Sequence, residues 1–358
     1  MGSFPIVFYS APVRMSSYII VGAGVFGVST AYHLKKQIPS ASVTLIDRTD
    51  PPCPIAASHD INKIVRADYE DIFYCSLGLE TLHAWKTDPF FNQWFHPAGL
   101  LTVTDRKSHL IEKILENLEK LDAKSGADPF TPREISAKFD GIFSDMRLRP
   151  DDKLLFNGSA GIAEAEKALS ATIQACMDLG VRYVAAPVSR LIINDKVCKG
   201  VQTDDGRTLS AQNIILSTGA ATAKLIADSA PQQAELQVGP RITARAVCCA
   251  AVQLDEQQVR KFKKVPAVAH HAGGTQGETM PPVDNLLKFI SDISFQNTVF
   301  HPESGQRISV PFTDQSRSQW TSPEYIPSEL KEDLDNVIKS LYGKKASGLK
   351  TTTMRICW

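Results

Sequence analysis

The chain has 358 residues, of which 43% are hydrophobic, and this length allows about two globular domains with cores of their own. Its 39 lysine and arginine residues balance 39 aspartate and glutamate residues, so no basic excess points to nucleic acid or an anionic membrane as a partner. Because no apolar run approaches the roughly 18 residues of a membrane-spanning helix and residues 1–14 lack a signal-peptide pattern, we expect a protein outside the membrane whose partner is a small molecule.

The first predicted elements are a strand, a turn and a helix. Residues 17–21 are β-branched and aromatic and end at a glycine, and residues 25–36 carry apolar side chains at helical spacing. Residues 42–47 then have the composition of a buried parallel strand. Residues 17–47 are therefore predicted to form a βαβ unit of about the minimum length, after a loose extension at residues 1–15.

Further helices are predicted wherever apolar residues recur every three or four positions. In one of them Thr131 serves as the cap and Pro132 stands in the first turn, whereas Gly126 and Gly180 are stop signals for two others. The predicted helices cover residues 71–87, 106–124, 131–139, 162–179 and 327–343.

Strands dominate two later regions of the chain. Residues 181–217 alternate short β runs with turn residues and are predicted to form a β-meander that returns to a final buried strand. Residues 231–312 are predicted to contain a second sheet, in which residues 270–282 form a loop because of their composition.

The glycine motif at the start of the βαβ unit indicates a dinucleotide site. Gly22, Gly24 and Gly27 form G-x-G-x-x-G directly after a predicted strand, and Asp47 follows twenty residues later at the end of the next strand. The first glycine permits the tight turn, the second lets a pyrophosphate approach the backbone, and the third lets the helix pack on the strand. The phosphates then meet the helix N-terminus, and Asp47 accepts hydrogen bonds from the ribose. Because all of these features agree, we predict a dinucleotide site rather than an ordinary turn.

Several longer segments carry a family resemblance. From about residue 16 to residue 358 the chain resembles the D-amino-acid-oxidase-like flavoproteins, in particular the fungal branch of sarcosine oxidase, fructosyl amino acid oxidase (amadoriase) and L-saccharopine or L-pipecolate oxidase. The glycine motif alone permits FAD or NAD, whereas the order of the other segments favours FAD. These are "ASHDINKIVRADYED" (57–71), "FNGSAGIAEAEKAL" (156–169), "NIILSTGAAT" (213–222), "DNLLKF" (284–289) and "MRICW" (354–358).

The resemblance implies three catalytic residues. Lys63 would lie close to the flavin ring, and Arg66, with Tyr69, would meet the substrate carboxylate, which fits the planar fork of arginine. Lys288 matches a lysine above the ring that is implicated in oxygen activation, where a cation favours negative charge on the flavin and on oxygen. Without the resemblance, Lys63 and Arg66 would be exposed residues of a polar loop, and Lys288 a solvent-facing residue of an edge strand.

The resemblance also implies a cofactor site built from distant segments. Val188 matches a residue that presents its backbone to adenine, and the turn from Thr218 to Ala220 matches one that passes near the pyrophosphate. Cys357 matches a cysteine that is joined to the flavin through a thioether. The residues predicted to bind FAD are Gly22, Gly24, Val25, Phe26, Gly27, Asp47, Arg48, Ser58, His59, Lys63, Val188, Thr218, Gly219 and Cys357.

The family pattern continues beyond Cys357 with a T-P-D type segment and a glycine-rich stretch that completes the flavin pocket. The chain ends at Trp358, so we expect a truncated member of the family. Loss of the last strand and helix would uncover one sheet edge and one face of the flavin, and Cys357 would fray near the chain end. The expected consequence is weak FAD binding and poor turnover.

Other chemistry-bearing residues do not indicate a metal site. The seven cysteines are odd in number and form no Cys-x-x-Cys pair, which argues against disulfides and structural zinc and favours a reducing compartment. Cys248 and Cys249 lie in an apolar run and are predicted to be buried, inert thiols. His270 and His271 are adjacent, a spacing at which side chains do not converge on one metal, and are predicted to be loop residues.

The resulting hypothesis is an α/β protein with a Rossmann-like FAD-binding domain built from discontinuous segments and a substrate lobe of mixed or antiparallel sheet plus helices. The FAD-binding segments are 16–95, 151–228 and 326–358, and the substrate segments are 96–150 and 229–325.

By resemblance, the protein oxidises an amino acid derivative with a secondary amine (saccharopine, pipecolate, an N-methyl or a fructosyl amino acid) to an imine, and O2 becomes H2O2. We expect a monomer in the cytoplasm or peroxisome that binds no nucleic acid, no membrane and no metal. The alternatives are an NAD(P)-dependent dehydrogenase and a non-catalytic remnant of the oxidase family.

Overall fold

A computed structural model describes residues 16–123, 126–239 and 241–358. The extension predicted at residues 1–15 and the predicted helix end at Lys124 lie outside the described residues. The α-helices are α1 (Val25–Gln37), α2 (Ile72–Thr87), α3 (Leu110–Lys120), α4 (Pro132–Ala137), α5 (Ala165–Asp178), α6 (Thr222–Ser229), α7 (Glu256–Phe262) and α8 (Ser328–Tyr342).

The strands belong to five sheets, two of which carry most of the fold. In chain order they are β1 (Ser17–Val21), β2 (Ser42–Asp47), β3 (Lys63–Val65), β4 (Phe95–His96), β5 (Leu100–Thr104), β6 (Ala127–Phe130), β7 (Lys153–Asn157), β8 (Gly161–Ala163), β9 (Arg182–Ala185), β10 (Val188–Asn194), β11 (Val197–Thr203), β12 (Thr208–Ser210), β13 (Asn213–Leu216), β14 (Ala246–Gln253), β15 (Ala267–His271), β16 (Gly277–Val283), β17 (Leu286–Phe295), β18 (Thr298–His301), β19 (Gln306–Ser309) and β20 (Thr351–Cys357).

The first major sheet is parallel and has the strand order β13-β1-β2-β9. Alternate side chains of β1 point to its two opposite faces. Ile20 packs with α1 and α5 residues such as Val28 and Ile173, whereas Ile19 and Val21 pack with the meander β10-β11-β12. Burial on both faces explains the continuous apolar run of β1, and the predicted βαβ unit is confirmed.

The second major sheet has eight strands in the order β20-β14-β17-β16-β15-β5-β7-β6 and is mixed, because β15 and β5 pair in parallel and the other neighbours pair antiparallel. One face packs against α8 around Phe289 and Tyr342. The opposite face packs against residues of the 57–66 segment, including Ile61 and Ile64. Residues 326–358, predicted for the FAD-binding domain, contribute α8 and β20 to this second layer.

Two predicted elements are wrong in ways that tertiary pairing explains. Ile162 does not begin a helix, since it lies in β8, which pairs with both β3 and β4, and α5 begins at Ala165. The predicted loop at 270–282 is mostly strand, because His270 and His271 end β15 and Gly277–Val283 forms β16. The prolines of β16 fall where its register with β17 shifts, which lets a strand tolerate them.

Helix ends follow local hydrogen bonding. The predicted helix at 106–124 is shorter, since it begins at Leu110 after a turn in which Asp105 accepts hydrogen bonds from the amides of Lys107 and Ser108. The predicted cap at Thr131 is confirmed as a capping box with Glu134. Among the described helices, none has the length and apolar character that would let it cross a membrane.

Candidate active site

The glycine motif forms a turn at the carboxyl edge of the parallel sheet. Gly22 has a φ of +101°, and a Cβ atom on it would lie 2.3 Å from the carbonyl oxygen of Ser217. A Cβ atom on Gly27 would lie 1.8 Å from the carbonyl oxygen of Gly22, so α1 packs on β1 only through glycine. Both positions therefore need glycine for the reasons predicted from the sequence.

The N-terminus of α1 is open. Gly24 is the N-cap and has extended backbone, no side chain caps the helix, and no acidic residue stands in its first turn. Val25 and Phe26 are 56% and 79% exposed. The first amides of α1 are therefore free to bind an anion, which is the arrangement that holds phosphates in dinucleotide sites.

Asp47 lies at the adjacent strand end and is tied to the glycine turn. Its Oδ2 accepts a hydrogen bond from the amide of Ala23 at 2.7 Å, and its Oδ1 accepts one from the amide of Arg48 at 2.7 Å. The Arg48 guanidinium donates to Gln315 Oε1 at 3.0 Å. The sugar contact predicted for Asp47 stays a prediction.

Val188, Thr218 and Gly219 lie at this same edge. The amide of Ala186 donates to the Asp47 carbonyl at 2.7 Å, two residues before Val188, and the Ser217 amide donates to the Val21 carbonyl at 2.7 Å. All of these segments follow carboxyl ends of parallel strands, which is where open α/β sheets bind ligands.

The segment from Ser58 to Arg66 extends from the glycine turn to the second sheet. Near the turn, the Ser58 hydroxyl is buried without a hydrogen-bond partner among the described residues and lies 3.2 Å from the place of a Cβ on Gly24. His59 Nδ1 is also buried and has no partner in the described part of the chain, while its Nε2 lies 3.4 Å from Glu166 Oε1. Such unpaired buried atoms are uncommon and suit contact with a ligand.

Arg355 fixes this segment and was not predicted from the sequence. Its side chain is fully buried and donates to the carbonyl oxygens of His59 and Ala56, while its Nε has no hydrogen-bond partner in residues 16–123, 126–239 and 241–358. It stands on β20, opposite Cys249 of β14. A buried arginine here adds a positive charge beside the predicted flavin residues.

The other predicted site residues on the second sheet lie on one of its faces. Because opposed residues of antiparallel strands share a face, Lys288 lies on the same face as Met280, Ile290 and Glu278, and the neighbouring strands add Cys249, Arg355 and Cys357. Lys288 is fully buried on the interior strand β17, so the alternative of an exposed lysine on an edge strand is wrong.

Asp60 joins the two predicted lysines. Its Oδ2 lies 2.6 Å from Lys288 Nζ and 2.6 Å from Lys63 Nζ, and Lys288 also donates to the Asn62 carbonyl at 2.9 Å. Burial alone would raise the pKa of Asp60, but the two ammonium groups lower it below its usual value. Burial alone would lower the pKa of Lys63, yet the Asp60 carboxylate raises it.

Arg66 lies at the far end of the segment, opposite an acidic pair. Its Nη1 donates to the Asp68 carbonyl at 2.5 Å, and its guanidinium lies 4.5 Å from the centre of the Tyr69 ring. On the facing sheet, burial raises the pKa of Glu278 and raises that of Asp292 to about 6, against the opposing effect of Arg66. These two carboxylates were not predicted from the sequence, because no short motif contains both.

The cysteines of this layer are buried. Cys357 of β20 is 8% exposed and pairs with Val247 of β14, so the expectation that it frays is wrong. Burial raises the pKa of both Cys248 and Cys249 to about 12, which agrees with the predicted inert thiols. His270 is also buried, and its Nε2 lies 2.9 Å from the Arg147 carbonyl oxygen.

Comparisons with known proteins give a consistent result. A family model described as DAO, FAD dependent oxidoreductase, matches residues 17–328. L-saccharopine oxidase of Schizosaccharomyces pombe is 27% identical over 95% of this chain and 78% of its own length. Human peroxisomal sarcosine oxidase is 26% identical over 58% of this chain and 51% of its own length. The crystal structure of an amadoriase I mutant from Aspergillus fumigatus is 25% identical, with a TM-score of 0.76 over 98% of this chain and 77% of its own.

Proposed function

Because the chain belongs to the family of FAD dependent oxidoreductases, we propose that it oxidises an amino acid derivative with a secondary amine and passes the electrons to O2, which becomes H2O2. Family membership confirms the predicted resemblance and FAD as the cofactor, and the similar structure confirms the α/β fold class. The similar proteins named above are oxidases of this kind. Saccharopine, pipecolate, N-methyl amino acids and fructosyl amino acids are the proposed substrates.

The observation that carries the proposal is the course of residues 57–66. Ser58 lies beside Gly24 at the open helix end, and Asp60 binds Lys288 on the face of the second sheet. A cofactor with phosphates on the α1 N-terminus would therefore extend its ring toward the lysines.

The residues fit FAD. Within the described residues, the α1 N-terminus has no side-chain cap, and Ser58 Oγ, His59 Nδ1 and Arg355 Nε are buried without partners along the same path. When bound there, FAD accepts a hydride from the carbon beside the substrate nitrogen and returns the electrons to O2.

Arg66 and the acidic pair supply the proposed substrate contacts. The Arg66 guanidinium, held by the Asp68 carbonyl and the Tyr69 ring, would take the substrate carboxylate through two parallel hydrogen bonds. Glu278 and Asp292 lie opposite it as buried carboxyl groups with raised pKa values, which suits a substrate that also carries an ammonium group, because a cation favours their ionised form. Lys63 and Lys288 supply positive charge where the flavin and oxygen become negative.

Cys357 is the proposed point of covalent attachment. It lies on the same sheet face as Lys288 and close enough to Lys63 to influence the pKa of that lysine. Acid precipitation should leave yellow colour on the wild-type protein and none on Cys357→Ser. Colour that stays in the supernatant of both proteins would exclude the thioether.

The oxidase proposal is tested by a peroxide-coupled screen of secondary-amine amino acids. We expect H2O2 without added nicotinamide, and a kcat/KM about 100-fold lower for Arg66→Leu, because two charge-assisted hydrogen bonds to the carboxylate are lost. Arg260→Leu, at an exposed position of α7, is the matched control. Reduction of NAD(P)+ without peroxide would favour the dehydrogenase instead.

We further propose that the protein acts as a monomer and resides in the cytoplasm or the peroxisome. Support for the second location comes from the human and mouse relatives whose names contain "peroxisomal". The division into FAD-binding and substrate segments also stays a prediction. Light scattering and cell fractionation test the monomer and the location.

A further inference from the structure

Asp60 occupies a tightly defined position between two lysines. It is 1% exposed. Its Oδ1 accepts a hydrogen bond from the amide of Ile61 at 2.8 Å, and its carbonyl oxygen accepts one from the amide of Glu166 at 2.9 Å. The remaining oxygen, Oδ2, lies 2.6 Å from both Lys63 Nζ and Lys288 Nζ. Backbone and carboxylate are thus both fixed, with one oxygen directed at two ammonium groups.

The placement of Lys288 depends on this segment. Lys288 is fully buried, and within the described part of the chain its ammonium group hydrogen-bonds to Asp60 Oδ2 and the Asn62 carbonyl. Both partners come from residues 57–66 rather than from its own sheet. Lys63 has a side chain 43% exposed and forms its ion pair with the same oxygen.

The charges around the two lysines leave Asp60 as their counter-ion. Cys249 of β14 faces them, and burial raises the pKa of its thiol to about 12, so it is neutral near pH 7. Cys357 of β20 is the other thiol beside Lys63. Arg355 adds positive charge but is directed at backbone carbonyls. Glu278 of β16 is a further acid of this face, and burial raises its pKa although the Lys288 ammonium opposes that rise.

We propose that Asp60 is a positioning residue that holds the Lys63 and Lys288 ammonium groups as one pair with a single net positive charge on the flavin-facing side of the second sheet. The inference rests on the proposed function for its meaning in catalysis. Its physical basis is independent, because without a counter-ion the fully buried Lys288 ammonium and the partly exposed Lys63 ammonium repel each other, which favours loss of a proton from one of them.

The test measures the protonation of Lys63 directly. Acetic anhydride reacts with neutral amines, so the acetylation rate of Lys63 at about pH 9, relative to exposed Lys350, reports its pKa in the full chain as purified. We expect Asp60→Asn to raise this ratio about tenfold, which corresponds to a fall of one pKa unit. Asp60→Asn with Lys288→Met should restore the wild-type ratio, because the repelling charge is gone, and Asp60→Glu should remain close to wild type.

Matched variants keep the test decisive. Asp68→Asn places an amide at another buried aspartate of the same region, whose partner is Asn157, and should leave the ratio unchanged. If Asp60→Asn fails to fold, Lys288→Met alone should lower the ratio below wild type, since Asp60 then serves Lys63 alone. An unchanged ratio in Asp60→Asn, or in Lys288→Met, would overturn the proposal. The labelling does not depend on turnover. If the acetylation ratios are as expected but the protein produces no peroxide, the proposed function is refuted and this inference stands.

Discussion

At the scale of single residues, Asp292 is a carboxylate that folding places in an unfavourable environment. Burial raises its pKa from 3.8 to about 6, although Arg66 opposes this shift. Its Oδ2 has no hydrogen-bond partner among the residues that the structure describes, and His271 Nδ1 lies 3.8 Å away. Such a group is stable when protonated and costs stability when charged, as is common for residues that meet a ligand.

Asp292→Asn should therefore change how stability depends on pH. The folded state binds the proton of Asp292 more tightly than the unfolded state, so this contribution is complete below about pH 4 and is lost as pH rises through about 6. Between about pH 4.5 and pH 8, the free energy of unfolding of the variant should gain up to about 2 kcal/mol relative to wild type. Urea unfolding at both pH values measures this. Asp335→Asn, exposed on α8, is the control, and parallel changes in all three proteins would contradict the prediction.

Some of the site residues could be predicted from the sequence, but their interaction partners could not. The glycine positions follow from local geometry that a motif records, and the crowding around Gly22 and Gly27 agrees with it. Asp60 lies within a quoted segment, yet its partner Lys288 is 228 residues away. Arg355 is 296 residues from His59, whose carbonyl it binds. Pairs so far apart in the sequence are brought together only by the fold, so no local sequence motif predicts them.

At the scale of elements, the start of α2 is set by the N-cap residue Asp71, which precedes it. The helix follows the segment that carries Lys63 and Arg66, and Asp71 is its N-cap. Asp71 Oδ1 accepts hydrogen bonds from the amides of Phe73 and Tyr74 at 2.9 and 3.2 Å. The cap therefore fixes the point at which the active-site segment ends and the helix begins.

Asp71→Ala should lower the free energy of unfolding by about 1 kcal/mol, because two amides of the first turn lose their acceptor. Asp71→Ser keeps a capping oxygen and should lie within about 0.5 kcal/mol of wild type. Urea unfolding of the three proteins at neutral pH measures both values. Equal losses for alanine and serine would show that the side chain does not act as a cap.

Elements were predictable where local signals and tertiary pairing agree. In the βαβ unit, apolar periodicity and the glycine turn both specify the observed structure. At residues 161–163 the helical pattern begins too early, because strands β3 and β4 flank this stretch and pair with it. At 270–282 glycine and proline indicate a loop, yet β16 within this stretch pairs with β15 and β17. In both cases pairing with other strands overrides local propensity.

At the scale of the whole molecule, the candidate site exists because two sheets share one connecting segment. The parallel sheet supplies the glycine turn and Asp47, and the mixed sheet supplies the charged face with Lys288. Residues 57–66 contact both, through Ser58 at one end and Asp60 further along. Neither sheet alone would present an anion site and a buried cation to the same ligand.

The most direct test of this arrangement is a fluorescence titration of FAD with the flavin-free chain, in which every protein compared also carries Cys357→Ser so that no thioether forms, and NAD+ is the competitor. We predict saturable quenching at one FAD per chain, no displacement by excess NAD+, and affinity at least about tenfold lower for Gly27→Ala, whose new Cβ would collide with the Gly22 carbonyl. Gly158→Ala, where a Cβ would meet its nearest neighbour at 3.7 Å, should bind as wild type does. Displacement of FAD by NAD+, or equal affinity in wild type and Gly27→Ala, would contradict a flavin site at this turn.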